Sequence, residues 1–129
     1  MSAAPERGPL RVITAEGADP FRVLAAEESL LEAAASGEVI LLLASWPGPS
    51  VILGHGQPEG DVDLELCRRE GIPVLRRITG GTGVVHDRDL AVSLALPAGH
   101  PWAGTITGLY GRFLEVLVAV LGKLGARAR

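Results

Sequence analysis

Hydrophobic positions along this chain recur with two periods, and the places where the period changes divide it into strands and helices. Leu10 to Ala15 is short and apolar-rich, as a strand is. Asp19-Pro20 is a helix start, with an N-cap acceptor followed by a proline that has no amide to lose. Apolar positions then recur at helical spacing through Phe21, Leu24, Leu31 and Ala34, until Gly37 stops the helix. Within it, Glu27-Glu28 reads as a solvated pair. Val39 to Trp46 is a continuous apolar run, long enough for a buried strand and too short for most helices. Pro47-Gly48-Pro49 forces a turn, and Ser50 to Leu53 reads as the returning strand of a hairpin. Asp61 to Glu70 predicts a short helix with acids first and arginines last, which suits the helix dipole.

Pro73 to Ile78 is the next strand. Leu90, Val92, Leu94 and Leu96 alternate with Ala91, Ser93 and Ala95, a period of two in which the partners are small rather than charged. Such a strand is expected to be covered on both faces. From Leu109 to Leu124 the period returns to that of a helix, with Arg112, Glu115 and Lys123 opposite the apolar stripe. The predicted class is α/β (α+β): one domain over residues 1–129, with a mixed, mostly antiparallel sheet of about five strands. The helices at 20–35 and 105–125 are expected to pack on that sheet.

Composition narrows the function classes. The 129 residues are 47% hydrophobic and 21% charged, a globular balance, and the net charge of −3 argues against a nucleic-acid surface. No apolar run approaches the length of a membrane span. Cys67 is the only cysteine, so no internal disulfide forms, and a cytoplasmic setting is the expectation. Lys123 is the only lysine, so chemistry that needs a lysine has one candidate in this sequence.

The candidate chemistry lies between Arg76 and Asp87. Gly80, Gly81 and Gly83 fall within four residues, between two apolar strands. Glycine accepts positive φ and lets a ligand approach bare backbone. Amides in such a bend, with Arg76 and Arg77 just upstream, suit a phosphorylated or acylated ligand. The simpler alternative is a tight hairpin turn. Adjacent strand residues point to opposite faces, so one arginine is expected to enter a given pocket; Arg77 is the choice, and Arg76 is assigned a structural pairing. His86 is read as a hydrogen-bonded structural histidine, His55 and His100 as loop residues, and Cys67 as a small apolar residue on a buried helix face. No His, Cys and Asp set has metal-ligand spacing. A dinucleotide-binding loop at Gly54 to Gly60 is disfavoured, because the glycine fingerprint is missing.

Three segments in this order resemble one family. Asp19-Pro20-Phe21-Arg22-Val23-Leu24-Ala25-Ala26-Glu27-Glu28 is similar to its early helix. Val51-Ile52-Leu53-Gly54-His55-Gly56-Gln57-Pro58 is similar to a strand and loop ending in glutamine. Arg76 to Asp87 is similar to its most specific motif, two arginines followed by serine or threonine, a glycine run and His-Asp. The chain thus resembles the first half of the catalytic domain of the biotin and lipoate protein ligases and octanoyltransferases, from Leu10 to Arg129. Thr82 stands where the family has a third glycine, His55 where it has arginine, and Pro58 where it has asparagine. Thr79 and the run Arg88-Asp89-Leu90 are closer to the octanoyltransferase branch; the branch stays open.

The resemblance implies a class II synthetase-like fold, incomplete here. It implies attachment of a lipoyl or octanoyl group to a lysine of a lipoyl domain. It assigns Arg77 to the nucleotide or acyl-adenylate, Gly80 and Gly81 to the acyl chain, Thr82, Gly83, Val84 and Val85 to the pocket lining, and Gln57 to the opposite wall. The implied cofactors are ATP with lipoate, with Mg2+ a candidate companion, in the ligase branch, and none in the transferase branch. The implied partners are a lipoyl-domain acceptor and a complementary C-terminal half, with neither nucleic acid nor membrane. The family's activating lysine lies beyond the last helix, and neither Lys123 nor Cys67 matches a family catalytic residue. No catalytic residue is therefore assigned, and the chain alone is expected to be inactive. The alternatives are an acyl-binding module without turnover and one subunit of a split enzyme.

Overall fold

The computed structural model describes residues 9–129. Six strands and three α-helices follow in the order β1 (Leu10–Ala15), α1 (Pro20–Ala35), β2 (Val39–Ser45), β3 (Ser50–Leu53), α2 (Leu64–Arg69), β4 (Val74–Arg76), β5 (Val84–His86), β6 (Leu90–Ala95) and α3 (Ile106–Lys123). A 3-10 turn at Glu59–Asp61 precedes α2, so the short helix starts later than the charge pattern predicts, at the Asp63 N-cap. At α1 the Asp19 carboxylate accepts from the Phe21 amide at 2.8 Å, with Pro20 in the first turn.

The class is α/β with mixed sheets, as expected, but the strands divide into two sheets rather than one. The first has the order β1-β2-β6 and the second β4-β3-β5. Each holds one parallel and one antiparallel pair, so pairing is evenly divided rather than mostly antiparallel. The predicted hairpin of Val39–Trp46 with Ser50–Leu53 does not form. Both edges of β2 are already filled, by β1 and β6, and the Trp46 amide donates to the Asp89 carbonyl at 3.0 Å. The Pro47-Gly48-Pro49 segment instead carries the chain from one sheet to the other.

The core lies between α1 and the inner face of the first sheet. Val23, Leu30 and Ala34 of α1 pack against Ile40, Leu42 and Ala44 of β2 and Ala95 of β6, with Ile52 and Leu75 joining from the second sheet. A smaller cluster of Val51, Leu53 and Cys67 seats α2, as expected for Cys67. The His86 ring stacks on Trp46 at 4.1 Å and 7°, and its Nδ1 donates to Asp89 at 2.7 Å. His86 is thus a structural link between the sheets.

The expectation that the 105–125 helix packs against the sheet needs correction. The helix forms, capped by the Thr105 hydroxyl on the Gly108 amide, but no residue of α3 is buried. Only Leu109, Phe113 and Leu117 are half-buried. The stripe has the right period, but period alone does not supply a surface to bury it against. Leu42→Ala should therefore cost about 2–5 kcal/mol in denaturant unfolding. Leu121→Ala, at a position 41% exposed on α3, should stay within about 0.5 kcal/mol.

Candidate functional site

The site begins where two loops touch. Gly54 closes β3, and a Cβ built on it would collide with the Gly81 carbonyl oxygen. Glycine is needed there because another backbone occupies the space of a side chain. Gly81 itself has φ +92°, a left-handed conformation that disfavours side chains. The glycine run is thus a bend pressed on a neighbouring loop, beyond what a free hairpin turn requires.

Two arginines hold that contact. Arg76 Nη1 donates to the carbonyls of Gly54 at 2.7 Å, His55 at 3.1 Å and Gln57 at 2.7 Å. Arg77 donates to Ile52 at 3.3 Å, Gly80 at 2.6 Å and Thr82 at 3.0 Å. The consecutive side chains diverge as the sequence predicts, one gripping each loop. Arg76 has its structural pairing. Arg77 is also engaged with backbone, while still reaching the cavity described below. In a trans peptide the N–H points opposite to the preceding C=O. With the Gly80 and Thr82 carbonyls turned to Arg77, the amides of Gly81 and Gly83 point away from it. Those donors suit an anionic or carbonyl oxygen approaching from that side.

Gln57 bridges the same contact. Its Oε1 accepts from the Gly54 amide at 3.1 Å and its Nε2 donates to Asp61 at 3.1 Å. A Cβ on Gly83 would lie 3.0 Å from that Oε1. Gln57 and the glycine bend are therefore together. Val84 and Val85 follow on β5 with 44% and 70% of their surface exposed.

Beside the bend, a cavity of about 480 Å3 opens between α1, β6 and the start of α3. It falls in the usual range for small-molecule clefts, roughly 300–1,000 Å3. Leu24, Leu31, Val92 and Leu94 are among its apolar walls, and Arg77, Ile78 and Thr79 form the side toward the bend. Gly80 to Val85 and Gln57 are not among the wall residues. Of the sequence-predicted site residues, the structure places Arg77 at the cavity, Gln57 and the bend from Gly80 to Gly83 in the loop contact next to it, and Val84 and Val85 beyond it on β5.

Two polar wall residues escaped the sequence reading. The Ser93 hydroxyl donates to Glu27 Oε1 at 2.6 Å inside the cavity. The signal was present: Glu27 falls on the ladder Val23, Glu27, Leu30, Ala34, whose other members are buried. A carboxylate on a buried helix face needs a donor, and Ser93 lies on the core-facing side of β6 with Ala95. Among the described residues no three His, Cys, Asp or Glu side chains converge on a metal position.

Comparisons with known proteins agree on one family. A family model described as the lipoyl protein ligase A/B catalytic domain matches residues 19–129. The octanoyltransferase LipM of Moorella thermoacetica is 32% identical over 120 residues, covering 90% of this chain and 44% of that protein. A bi-partite lipoate protein ligase from Thermoplasma acidophilum, solved in a study that includes its E2 lipoyl domain, superposes with a TM-score of 0.80 at 31% identity. The match covers 92% of this chain and 47% of that one. A lipoate-protein ligase A bound with ATP gives a TM-score of 0.78 at 30% identity, covering 95% and 49%. The chain spans less than half the length of these relatives.

Gly54→Ala should displace the bend and destabilise the chain by about 1–3 kcal/mol. Gly80→Ala, with nothing within 4 Å of its added methyl, should be tolerated. Amide hydrogen exchange across residues 79–84 checks this: faster exchange is expected in the Gly54 variant only.

Proposed function

This chain belongs to the lipoyl protein ligase A/B catalytic domain family, and from that premise we propose that it holds the acyl group in lipoyl or octanoyl attachment. In this reading residues 1–129 form the N-terminal part of the catalytic domain. The observation that carries it is the apolar cavity beside the braced glycine bend, with Arg77 and Thr79 on their shared side. The acyl chain occupies the cavity, and its carbonyl end emerges toward Arg77. There the Arg77 guanidinium is the donor for charge that develops on the carbonyl oxygen, and a donor already in place lowers acyl-transfer barriers.

The acceptor is the ε-amine of a lysine on a lipoyl domain. Its nitrogen forms the new amide bond to the acyl carbonyl carbon while the bond to the leaving group breaks. That group is a thiol in the transferase reading and an adenylate in the ligase reading. In the latter ATP would supply the activation with Mg2+ on its phosphates, and Arg77 would face the adenylate phosphate. A buried, unpaired Cys67 fits a reducing, cytoplasmic compartment. Among the described residues no helix is long and apolar enough to cross a membrane.

Lys123, the only lysine, lies at the end of α3 and is not a wall residue of the cavity. In the split-enzyme reading a complementary C-terminal half brings the activating lysine. A second reading is a module that holds an acyl group without turnover. A lipoyl domain incubated with this chain and either octanoyl carrier protein, or lipoate and ATP, tests the reading by mass spectrometry. Acyl addition to the acceptor lysine by the chain alone establishes transfer and removes the module. Octanoyl binding with no addition fits the module and the split enzyme, and no octanoyl binding overturns the acyl-holding role.

Arg77→Ala should weaken an acyl-adenylate analogue more than the free acid, by about 1.5–3 kcal/mol for the lost charged hydrogen bond. Arg76→Ala should cost stability instead, about 1–3 kcal/mol, by releasing the loop carbonyls. Titration calorimetry and unfolding of both variants check this; equal binding losses for Arg76 and Arg77 would remove Arg77 from the ligand site.

A further inference from the structure

Inside the cavity beside the bend, Glu27 of α1 and Ser93 of β6 meet, both half-buried, with the Ser93 hydroxyl donating to Glu27 Oε1 at 2.6 Å. The hydrogen-bonding capacity of this pair is lopsided. A serine hydroxyl has one hydrogen and a carboxylate has none. That hydrogen is spent on Oε1, so toward a ligand the pair can only accept. Among the described residues Glu27 enters no ion pair, and its second carboxylate oxygen, Oε2, receives no hydrogen bond. The other charged groups of the wall do not serve it. Arg77 is committed to the carbonyls of Ile52, Gly80 and Thr82, and Glu28 is exposed and carries the same charge. Leu24 and Leu31 bracket Glu27 on the same helix wall. At a rise of about 1.5 Å per residue that wall is roughly 10 Å long, close to the length of an extended octanoyl chain, and Glu27 stands near its middle.

We propose that the Glu27–Ser93 pair sets the substrate class of the cavity: it favours an acyl chain with a hydrogen-bond donor, a hydroxyl or a thiol, on its middle carbons over a plain hydrocarbon chain. The inference rests on the acyl-attachment reading for the occupancy of the cavity. Water entering the open cavity solvates Oε2. A hydrocarbon chain lying along α1 displaces that water and offers nothing in return, so a charged oxygen is desolvated without a partner. A donor at the same depth replaces the water. A ketone at the same depth sets a second acceptor opposite the carboxylate and is the least favoured. Of the chains in the acyl-attachment reading, the dithiol form of a lipoyl group carries such donors and an octanoyl group does not.

Titration calorimetry of the 129-residue chain with octanoate, 6-hydroxyoctanoate, 6-mercaptooctanoate and 6-oxooctanoate tests this. The alcohol is expected to bind about tenfold more tightly than octanoate, the thiol more tightly by a smaller factor, and the ketone more weakly than octanoate. Glu27→Gln presents a donor and an acceptor together, so in that variant alcohol and ketone should bind within about twofold of each other. Ser93→Ala releases Oε1 as a further acceptor and should keep the preference for the alcohol, which a merely structural bond between α1 and β6 does not predict. Each readout is a ratio of affinities within one variant, so a general loss of stability cancels. A gain for only one of the alcohol and the thiol identifies the donor and upholds the proposal. No gain for either, or an alcohol-to-ketone ratio that Glu27→Gln leaves unchanged, overturns the proposal while the acyl-attachment reading stands. Failure of all four ligands to bind overturns both.

Discussion

The backbone contact between Gly54 and Gly81 is the constraint from which the rest of the site follows. It requires glycine at both positions, at one because a carbonyl occupies the side-chain space and at the other because φ is +92°. Loops pressed so closely leave carbonyls crowded together, and Arg76 and Arg77 supply donors to six of them. Hydrogen bonds from a charged donor are stronger than neutral ones, so the pair fixes the bend before any ligand arrives. A bend held in this way has its amides already oriented, and preorganised donors are the ones that stabilise developing charge without reorganisation.

The core and the site share elements. Helix α1 packs Val23, Leu30 and Ala34 into the core, and the same helix lines the cavity with Leu24, Glu27 and Leu31. Strand β6 does likewise, with Ala95 in the core and Ser93 at the cavity. The Glu27–Ser93 hydrogen bond sits at this junction, so a polar pair ties the helix to the strand where the apolar packing opens. Among the described residues, the outer face of the first sheet has no comparable closure. Its β-strand residues are as apolar as those of the inner face, and α3 only skirts it.

Much of this was legible in the sequence, and the failures have physical causes. The strands and long helices follow from period and caps: Asp19-Pro20 starts α1, and the Leu90–Leu96 alternation is β6. Three glycines and two arginines marked the bend, because few other residues tolerate that backbone or bind that many carbonyls. Pairing was less legible. A Pro-Gly-Pro segment between two apolar runs looks the same whether it closes a hairpin or crosses between sheets. The partners that decide it, β1 and β6, lie far away in sequence. The burial of α3 was unreadable for a similar reason: an amphipathic stripe records what a helix is built to pack against, not whether that surface is present. Glu27 reads as solvated beside Glu28, but by helical spacing it belongs with Val23, Leu30 and Ala34, which are buried.

The central claim is that the acyl group lies in the cavity between α1 and β6, and a photoreactive ligand tests it most directly. An octanoyl probe carrying a diazirine at its terminal carbon, bound to the chain and irradiated, would be located by peptide mass spectrometry. Labelling is expected on α1 and β6, at residues such as Leu24, Leu31 and Val92. Labelling confined to a second groove of the same volume along the outer face of the first sheet, at Val39, Leu41 or Trp102, would contradict the account, since that groove shares only Leu94 and Phe113 with the cavity.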